Sequence, residues 1–210
     1  MKLYTFFRSS AAFRVRIALN LKGVEYEPVP LNLPKGDHRQ PDFVAKNPHR
    51  TIPVIDDDGT VLFQSLAIIE YLDARYPEPR LIPLDPVQRA RVQAFAQVIA
   101  CEIHPLNNLR VLRHLRSELG LDEEHIKKWV QHWIGESFRS LEALLEESSG
   151  RCCFGDAITI ADVFLVPQVY NARRFDCDLA PFPRVVRIAD SLRALPQFAR
   201  AAPELQPDAE

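Results

Sequence analysis

Two adjacent serines, Ser9 and Ser10, stand where an alternating strand pattern (Leu3, Tyr4, Thr5, Phe6) gives way to a helical one (Phe13, Ile17, Leu21). A strand, a hydroxyl turn and a helix start together make an anion site. The first backbone N–H groups of a helix lack partners within it, and the positive end of its dipole lies there. Two hydroxyls can add hydrogen bonds to a thiolate or a carboxylate. Lowering a thiol's pKa by about two units from its usual value of about 8.5 takes about 2.7 kcal/mol in favour of the anion. A helix dipole supplies about 0.3–1 kcal/mol, and a hydrogen bond to a charged group about 1.5–3 kcal/mol. Serine plus dipole suffices; the dipole alone does not. A serine here reads equally well as a plain helix N-cap, so the rest of the chain must decide.

None of the four cysteines, Cys101, Cys152, Cys153 and Cys177, falls in this turn, so a thiol acting there must arrive on a ligand. They form no CxxC pair and no metal-ligand spacing with the six histidines, so no metal is expected. Reduced, mostly buried thiols in a reducing compartment are the expectation. A formal net charge of −2 gives no reason to expect a nucleic acid or an acidic membrane as partner. No apolar run is long enough to span a bilayer, and Met1 leads straight into a strand rather than a signal peptide. A soluble, cytoplasmic protein of one or two domains is expected from 210 residues of ordinary composition.

The elements that must position the turn follow in order. Lys22-Gly23 closes the first helix with a basic last turn and a C-cap glycine, and Tyr26 to Leu33 reads as a second strand, giving a βαβ unit. A polar stretch from Lys35 to Asn47 holds a short helix from Pro41. Asp57-Asp58-Gly59 is a hairpin turn between Val54-Ile55 and Val61-Leu62-Phe63. Gln64-Ser65 opens an amphipathic helix ending near Tyr76, which repeats the hydroxyl at a helix N-terminus. Pro77, Pro79, Pro83 and Pro86 mark a domain boundary. Beyond it only helices are expected: one from Pro86 kinked or ended by Pro105, one capped by Asp122 and running through Trp129, Trp133 and Phe138, and an all-apolar one opened by the capping box Thr159 to Asp162. Asp162 is therefore structural. Val185 to Leu195 and Gln197 to Arg200 read as short surface helices, and Pro203 to Glu210 as a frayed tail.

A thioredoxin-like domain over residues 1–80, a proline linker and an all-helical domain over residues 86–210 resemble the glutathione transferase fold, an α/β half joined to an all-α half. Within it, the run Ser9-Ser10-Ala11-Ala12-Phe13-Arg14-Val15-Arg16-Ile17-Ala18-Leu19 is similar to the signature of the zeta class, the maleylacetoacetate isomerases. Ala11 stands where that signature commonly has cysteine. Asn47-Pro48 with Ile52-Pro53, Gln64 to Leu72, Ile103 to Leu109, Gly155-Asp156 with Ala161-Asp162, and Leu165 to Gln168 extend the resemblance over nearly the whole chain.

The resemblance implies a glutathione site. Ser9, or Ser10 beside it, would hydrogen-bond the sulfur and keep it as thiolate. Ile52 would pair its backbone with the cysteinyl part of the peptide, followed by a cis Pro53. Gln64 and Ser65 would bind the γ-glutamyl carboxylate, His38 the glycine end, and His104 and Asn108 would contribute from the helical domain, completing the substrate site. His104 before Pro105 reads alternatively as part of a helix break. The implied reaction is cis–trans isomerisation of maleylacetoacetate to fumarylacetoacetate in tyrosine and phenylalanine catabolism, with glutathione as a regenerated cofactor. A small dicarboxylate substrate calls for cations, with Arg8, Arg110 and Arg174 as candidates; Arg14 and Arg16 are expected to be structural ion-pair partners. A two-fold homodimer is also implied. Maleylpyruvate isomerase, a general glutathione transferase and a non-catalytic transferase-like interaction protein are the alternatives.

Overall fold

Strand β1 (Lys2–Thr5) occupies the interior of a four-stranded sheet in a computed structural model that describes residues 1–209. The order is β2-β1-β3-β4, with β2 (Glu27–Pro30) parallel to β1, and β3 (Val54–Asp57) and β4 (Thr60–Phe63) joined as an antiparallel hairpin. Asp58 and Gly59, at φ 50 and 92, make the hairpin turn with both residues in the left-handed region. The register decides where the loops go. Thr5 lies opposite Pro30, Tyr4 opposite Val54, and Val54 opposite Phe63. The chain leaves β1 towards Ser9, leaves β2 towards His38, enters β3 from Ile52-Pro53 and leaves β4 into Gln64-Ser65, all at one end of the sheet.

The chain separates into two units, residues 1–81 with the segment from 194 onward, and residues 82–193. In the first, helix α1 (Ser10–Lys22) was expected to bury one face, yet every residue from Ser10 to Leu19 is buried. Helices α3 (Ser65–Arg75) and α9 (Pro196–Arg200) pack against it. Gly23, at φ 64, ends α1 by returning its N–H to Asn20 at 3.3 Å. The short helix expected from Pro41 is α2 (Pro41–Lys46), and the Ile52–Pro53 peptide is cis, as is Glu78–Pro79. Lys22 and Asp73 form a buried ion pair at 2.6 Å. Lys22 also donates to Pro79 O at 2.6 Å, and Asp73 accepts from Leu81 N at 2.7 Å, so the proline-rich connector is tied to the first unit.

Arg14 and Arg16 are structural, as expected, and two other expectations for this unit need correction. Arg14 and Arg16 are almost completely buried, and they hydrogen-bond neutral oxygens: Arg14 the Ser65 hydroxyl, Arg16 the carbonyls of Phe7 and Ala201 and the Thr5 hydroxyl. A helix enclosed on all sides leaves a guanidinium no solvent, so backbone carbonyls and hydroxyls take up several of its donors. The tail is docked rather than frayed, because Ala201, Ala202 and Pro203 are apolar and buried, a 3-10 turn covers Pro203–Leu205, and Asp208 accepts from Phe7 N; Glu210 lies outside the described residues. Gln197 to Arg200 is no mere surface helix, since Phe198 is fully buried.

The second unit is helical: α4 (Pro86–Gln97), α5 (Leu109–Ser117), α6 (Glu123–Ser148), α7 (Ile160–Arg174) and α8 (Pro183–Arg193). After α4 the backbone passes through a π-helical stretch, Val98–Ile103, and Pro105 lies in the break before α5. Helix α7 is buried from Ile160 to Val169. Its capping box is complete: Asp162 accepts from Thr159 N and from Cys153 N, each at 2.8 Å. Burial raises the Asp162 pKa despite those bonds. Among the thiols, Cys152 and Cys153 are buried, whereas Cys101 is exposed against the expectation, because its position in the π-helical stretch faces away from the core residues Ile99 and Ile103. Among the described residues no helix is long and apolar enough to cross a membrane.

Candidate active site

The turn between β1 and α1 is built from its backbone outward. Ser9 N donates to Phe6 O at 3.0 Å, and Ser9 is the N-cap of α1, its Oγ accepting from Ala12 N at 3.2 Å. Capping and anion binding were competing readings of this serine; the geometry makes them compatible. The cap uses an oxygen lone pair, and the hydroxyl proton is left to donate elsewhere. Ser9 is half-buried, while Ser10, the first residue of the helix, is buried.

The same arrangement recurs at α3. Ser65 is buried, and its Oγ accepts from Arg14 Nη1 at 3.3 Å. Again a lone pair is engaged from within the protein, and the hydroxyl can donate outward at a helix N-terminus. Gln64, just ahead of it, is exposed and holds φ 71, a conformation that ordinary residues avoid at a cost of about 1–3 kcal/mol. Strain of that size at a residue beside a helix N-terminus points to a use for its side chain.

Between these two serines the sheet end presents Ile52, buried and followed by the cis Pro53. Asn47 shapes the loop leading to it: its Nδ2 donates to Thr51 O at 2.7 Å and its Oδ1 accepts from His49 N at 3.0 Å. His38 is buried in the 3-10 turn Asp37–Arg39, beyond the same end of β2. Arg8 is exposed, its guanidinium carried 5.0 Å from the Phe7 ring centroid and 5.8 Å from that of Phe6. The first unit thus brings Arg8, Ser9, Ser10, His38, Ile52, Gln64 and Ser65 to one end of its sheet.

The helical unit holds the other four candidates. His104 ends the π-helical stretch, donating its N–H to Ile99 O at 3.0 Å. Asn108 is the N-cap of α5, its Oδ1 accepting from Arg110 N at 3.2 Å, which gives it a structural task the sequence did not reveal. Arg110 is exposed in the first turn of α5, where a cation opposes the helix dipole and so adds to the positive field. Arg174 is the last residue of α7, its guanidinium 5.1 Å from the Phe175 ring centroid.

Sequence reasoning missed the work of Arg14, Arg16 and Asn47. The signal for the arginines was present: two cations inside the otherwise apolar run from Ala11 to Leu19 had to be satisfied internally.

Residues 1–74 match the family model described as glutathione S-transferase, N-terminal domain. Over 209 residues, 99% of this chain and 97% of the other, the sequence is 50% identical to a probable maleylacetoacetate isomerase of Vibrio cholerae. The chain belongs to the zeta class of glutathione transferases. Two solved zeta-type structures agree over the whole of both chains. A holo maleylpyruvate isomerase, a bacterial zeta-class transferase, superposes with a TM-score of 0.98 at 47% identity. A maleylacetoacetate isomerase from Methylobacterium extorquens AM1, with malonate and glutathione bound, superposes with a TM-score of 0.93 at 42% identity.

Proposed function

We propose that the chain is a glutathione-dependent cis–trans isomerase that converts maleylacetoacetate to fumarylacetoacetate. The observation that carries this is the pair of hydroxyls, Ser9 and Ser65, each with its oxygen engaged from within the protein and its proton free for an anion at a helix N-terminus. The donor set fits glutathione: one hydroxyl for a thiolate, another for a carboxylate, and a strand-end backbone at Ile52 for the peptide between them. When bound, glutathione supplies a thiol whose anion adds reversibly to the alkene carbon conjugated to the ketone, leaving a single bond that can rotate, and departs unchanged.

The protein's part is to hold charge and geometry. Ser9 donates its hydroxyl proton to the sulfur, with Ser10 and the first N–H groups of α1 beside it, and so keeps the thiol ionised at neutral pH. Ser65 and Gln64 hold the γ-glutamyl carboxylate, Ile52 the cysteinyl backbone, and His38 the glycine end. His104 and Asn108 serve the cofactor from the helical unit. Arg8, Arg110 and Arg174 serve the substrate's carboxylates and the negative charge that develops on its ketone oxygen. Ala11 in place of the family's cysteine leaves this chemistry intact, because the hydroxyl, the dipole and the cofactor's own thiol account for it.

The reading carries with it a cytoplasmic two-fold homodimer acting in tyrosine and phenylalanine breakdown. Isomerisation of maleylpyruvate is the second reading, favoured by the 0.98 TM-score to an enzyme of that name. The same thiolate would also support conjugation to other electrophiles. Titrating glutathione into the protein and following thiolate absorbance tests the cofactor site. A bound thiol ionised well below its free pKa supports it, and a bound thiol that titrates as it does in water counts against it.

A further inference from the structure

We infer that the C-terminal segment, residues 201–208, is a positioning element for the Phe7–Ser9 turn, with Asp208 and Arg16 as its grips. The inference rests on the reading of Arg8 and Ser9 given above and adds a part of the chain to their machinery.

The Phe7 peptide groups are held from both sides. Its N–H donates to Asp208 Oδ2 at 2.9 Å, and its carbonyl accepts from Arg16 Nη2 at 3.0 Å. Arg16 has no exposed surface, and it also donates to Ala201 O at 3.0 Å and Thr5 Oγ1 at 3.1 Å. One guanidinium therefore joins the end of β1, the carbonyl just before Arg8 and the start of the tail. Asp208 then closes the tail back onto the same residue. Gln206 keeps the segment in shape by donating to Arg200 O and Ala202 O at 3.0 and 2.9 Å.

What is held is the frame of the site. Phe7 lies beyond the last strand residue, so no sheet partner fixes it, and it carries the ring over which the Arg8 guanidinium sits. Ser9 closes the turn on Phe6 O. A displaced Phe7 peptide moves the Arg8 guanidinium and the Ser9 hydroxyl together. Asp208 is also a poor source of stability: its Oδ1 is buried without a hydrogen-bond partner, a desolvation cost that a purely structural contact would avoid. The tail's contribution is aim, and Asp208 acts through Phe7 rather than on substrate.

The test uses the full chain with Asp208→Ala, Asp208→Asn and, as a control at an exposed residue outside the segment, Leu119→Ala, alongside a chain ending at Pro207. The readouts are the titration midpoint of glutathione's thiol in the complex, kcat and KM for isomerisation, and the urea midpoint. Asp208→Ala and the shortened chain should raise the thiol midpoint by about half a unit and lower kcat about tenfold, with the urea midpoint nearly unchanged. Asp208→Asn, whose amide oxygen still accepts from Phe7 N–H, should recover most of both, and Leu119→Ala should match the wild type. A folded Asp208→Ala protein or shortened chain with wild-type thiol midpoint and kcat would overturn the inference. So would a fall in the urea midpoint alone. A wild-type protein that neither ionises bound glutathione nor turns over would instead overturn the reading of Ser9 beneath it.

Discussion

Arg14 on α1 donates from Nη1 to the hydroxyl oxygen of Ser65, the first residue of α3, across 3.3 Å, with both side chains buried. The bond occupies a lone pair of the Ser65 oxygen from within the protein and so directs its proton elsewhere. Ser65→Ala should weaken glutathione binding by about tenfold or more, the worth of a hydrogen bond to a charged group. Arg14→Met should weaken it less, and the double variant should lose less than the two single losses added. Calorimetric titration of the four proteins checks this; strict additivity would show that the two side chains act independently.

Ser9 has two tasks, and its removal should show both. Ser9→Ala loses the cap on Ala12 N–H, worth about 1 kcal/mol of stability, and raises the thiol pKa of bound glutathione towards its free value. Urea unfolding reads the first and thiolate absorbance the second. A destabilised protein with an unchanged thiol titration would move the chemical role to Ser10 or the backbone.

Gln64 is strained at φ 71, and glycine adopts such a φ without penalty. Gln64→Gly should leave the urea midpoint at or above the wild-type value while weakening glutathione binding by about tenfold. Strain kept at the expense of stability would then be assigned to function.

Arg8→Ala should raise KM for the dicarboxylate or lower kcat by at least about tenfold, while glutathione affinity changes by less than about threefold. Parallel loss of both would place Arg8 with the cofactor.

Burial pushes the Cys152 and Cys177 thiols up to about 11. In the unfolded chain they ionise near the ordinary value of 9.0. Between those values the folded state binds more protons than the unfolded one, so stability falls as pH rises from about 9 to about 11 and levels off beyond. The urea midpoint should fall with pH, and less steeply in the Cys152→Ala/Cys177→Ala double variant, where buried Cys153, its thiol also pushed up by burial, keeps part of the slope. In the native protein iodoacetamide should label exposed Cys101 and spare Cys152 and Cys153.

Much of this architecture was legible because it is local. Alternation marked β1, Asp58-Gly59 marked the hairpin, and Thr159 to Asp162 marked the start of α7, each a pattern that needs only neighbouring residues. What escaped depends on partners far along the chain. The Arg16 hydrogen bond to Ala201 and that of Phe7 to Asp208 join opposite ends of the sequence, and no spacing announces them. The tail from Pro203 looked frayed for the same reason: its few apolar residues and one carboxylate gain meaning only beside β1 and α1. At the site, the serines and Gln64 could be found by type and position. That Ser65 is held by Arg14, or that Asn108 spends its side chain on the Arg110 amide, could be seen only in three dimensions.

The most direct measurement is isomerisation of maleylacetoacetate and of maleylpyruvate in parallel, with and without glutathione, while free glutathione is assayed before and after. The account predicts turnover of at least one substrate to its trans isomer, dependent on glutathione and leaving its concentration unchanged. No turnover of either, or turnover that consumes glutathione into a stable adduct, would contradict it.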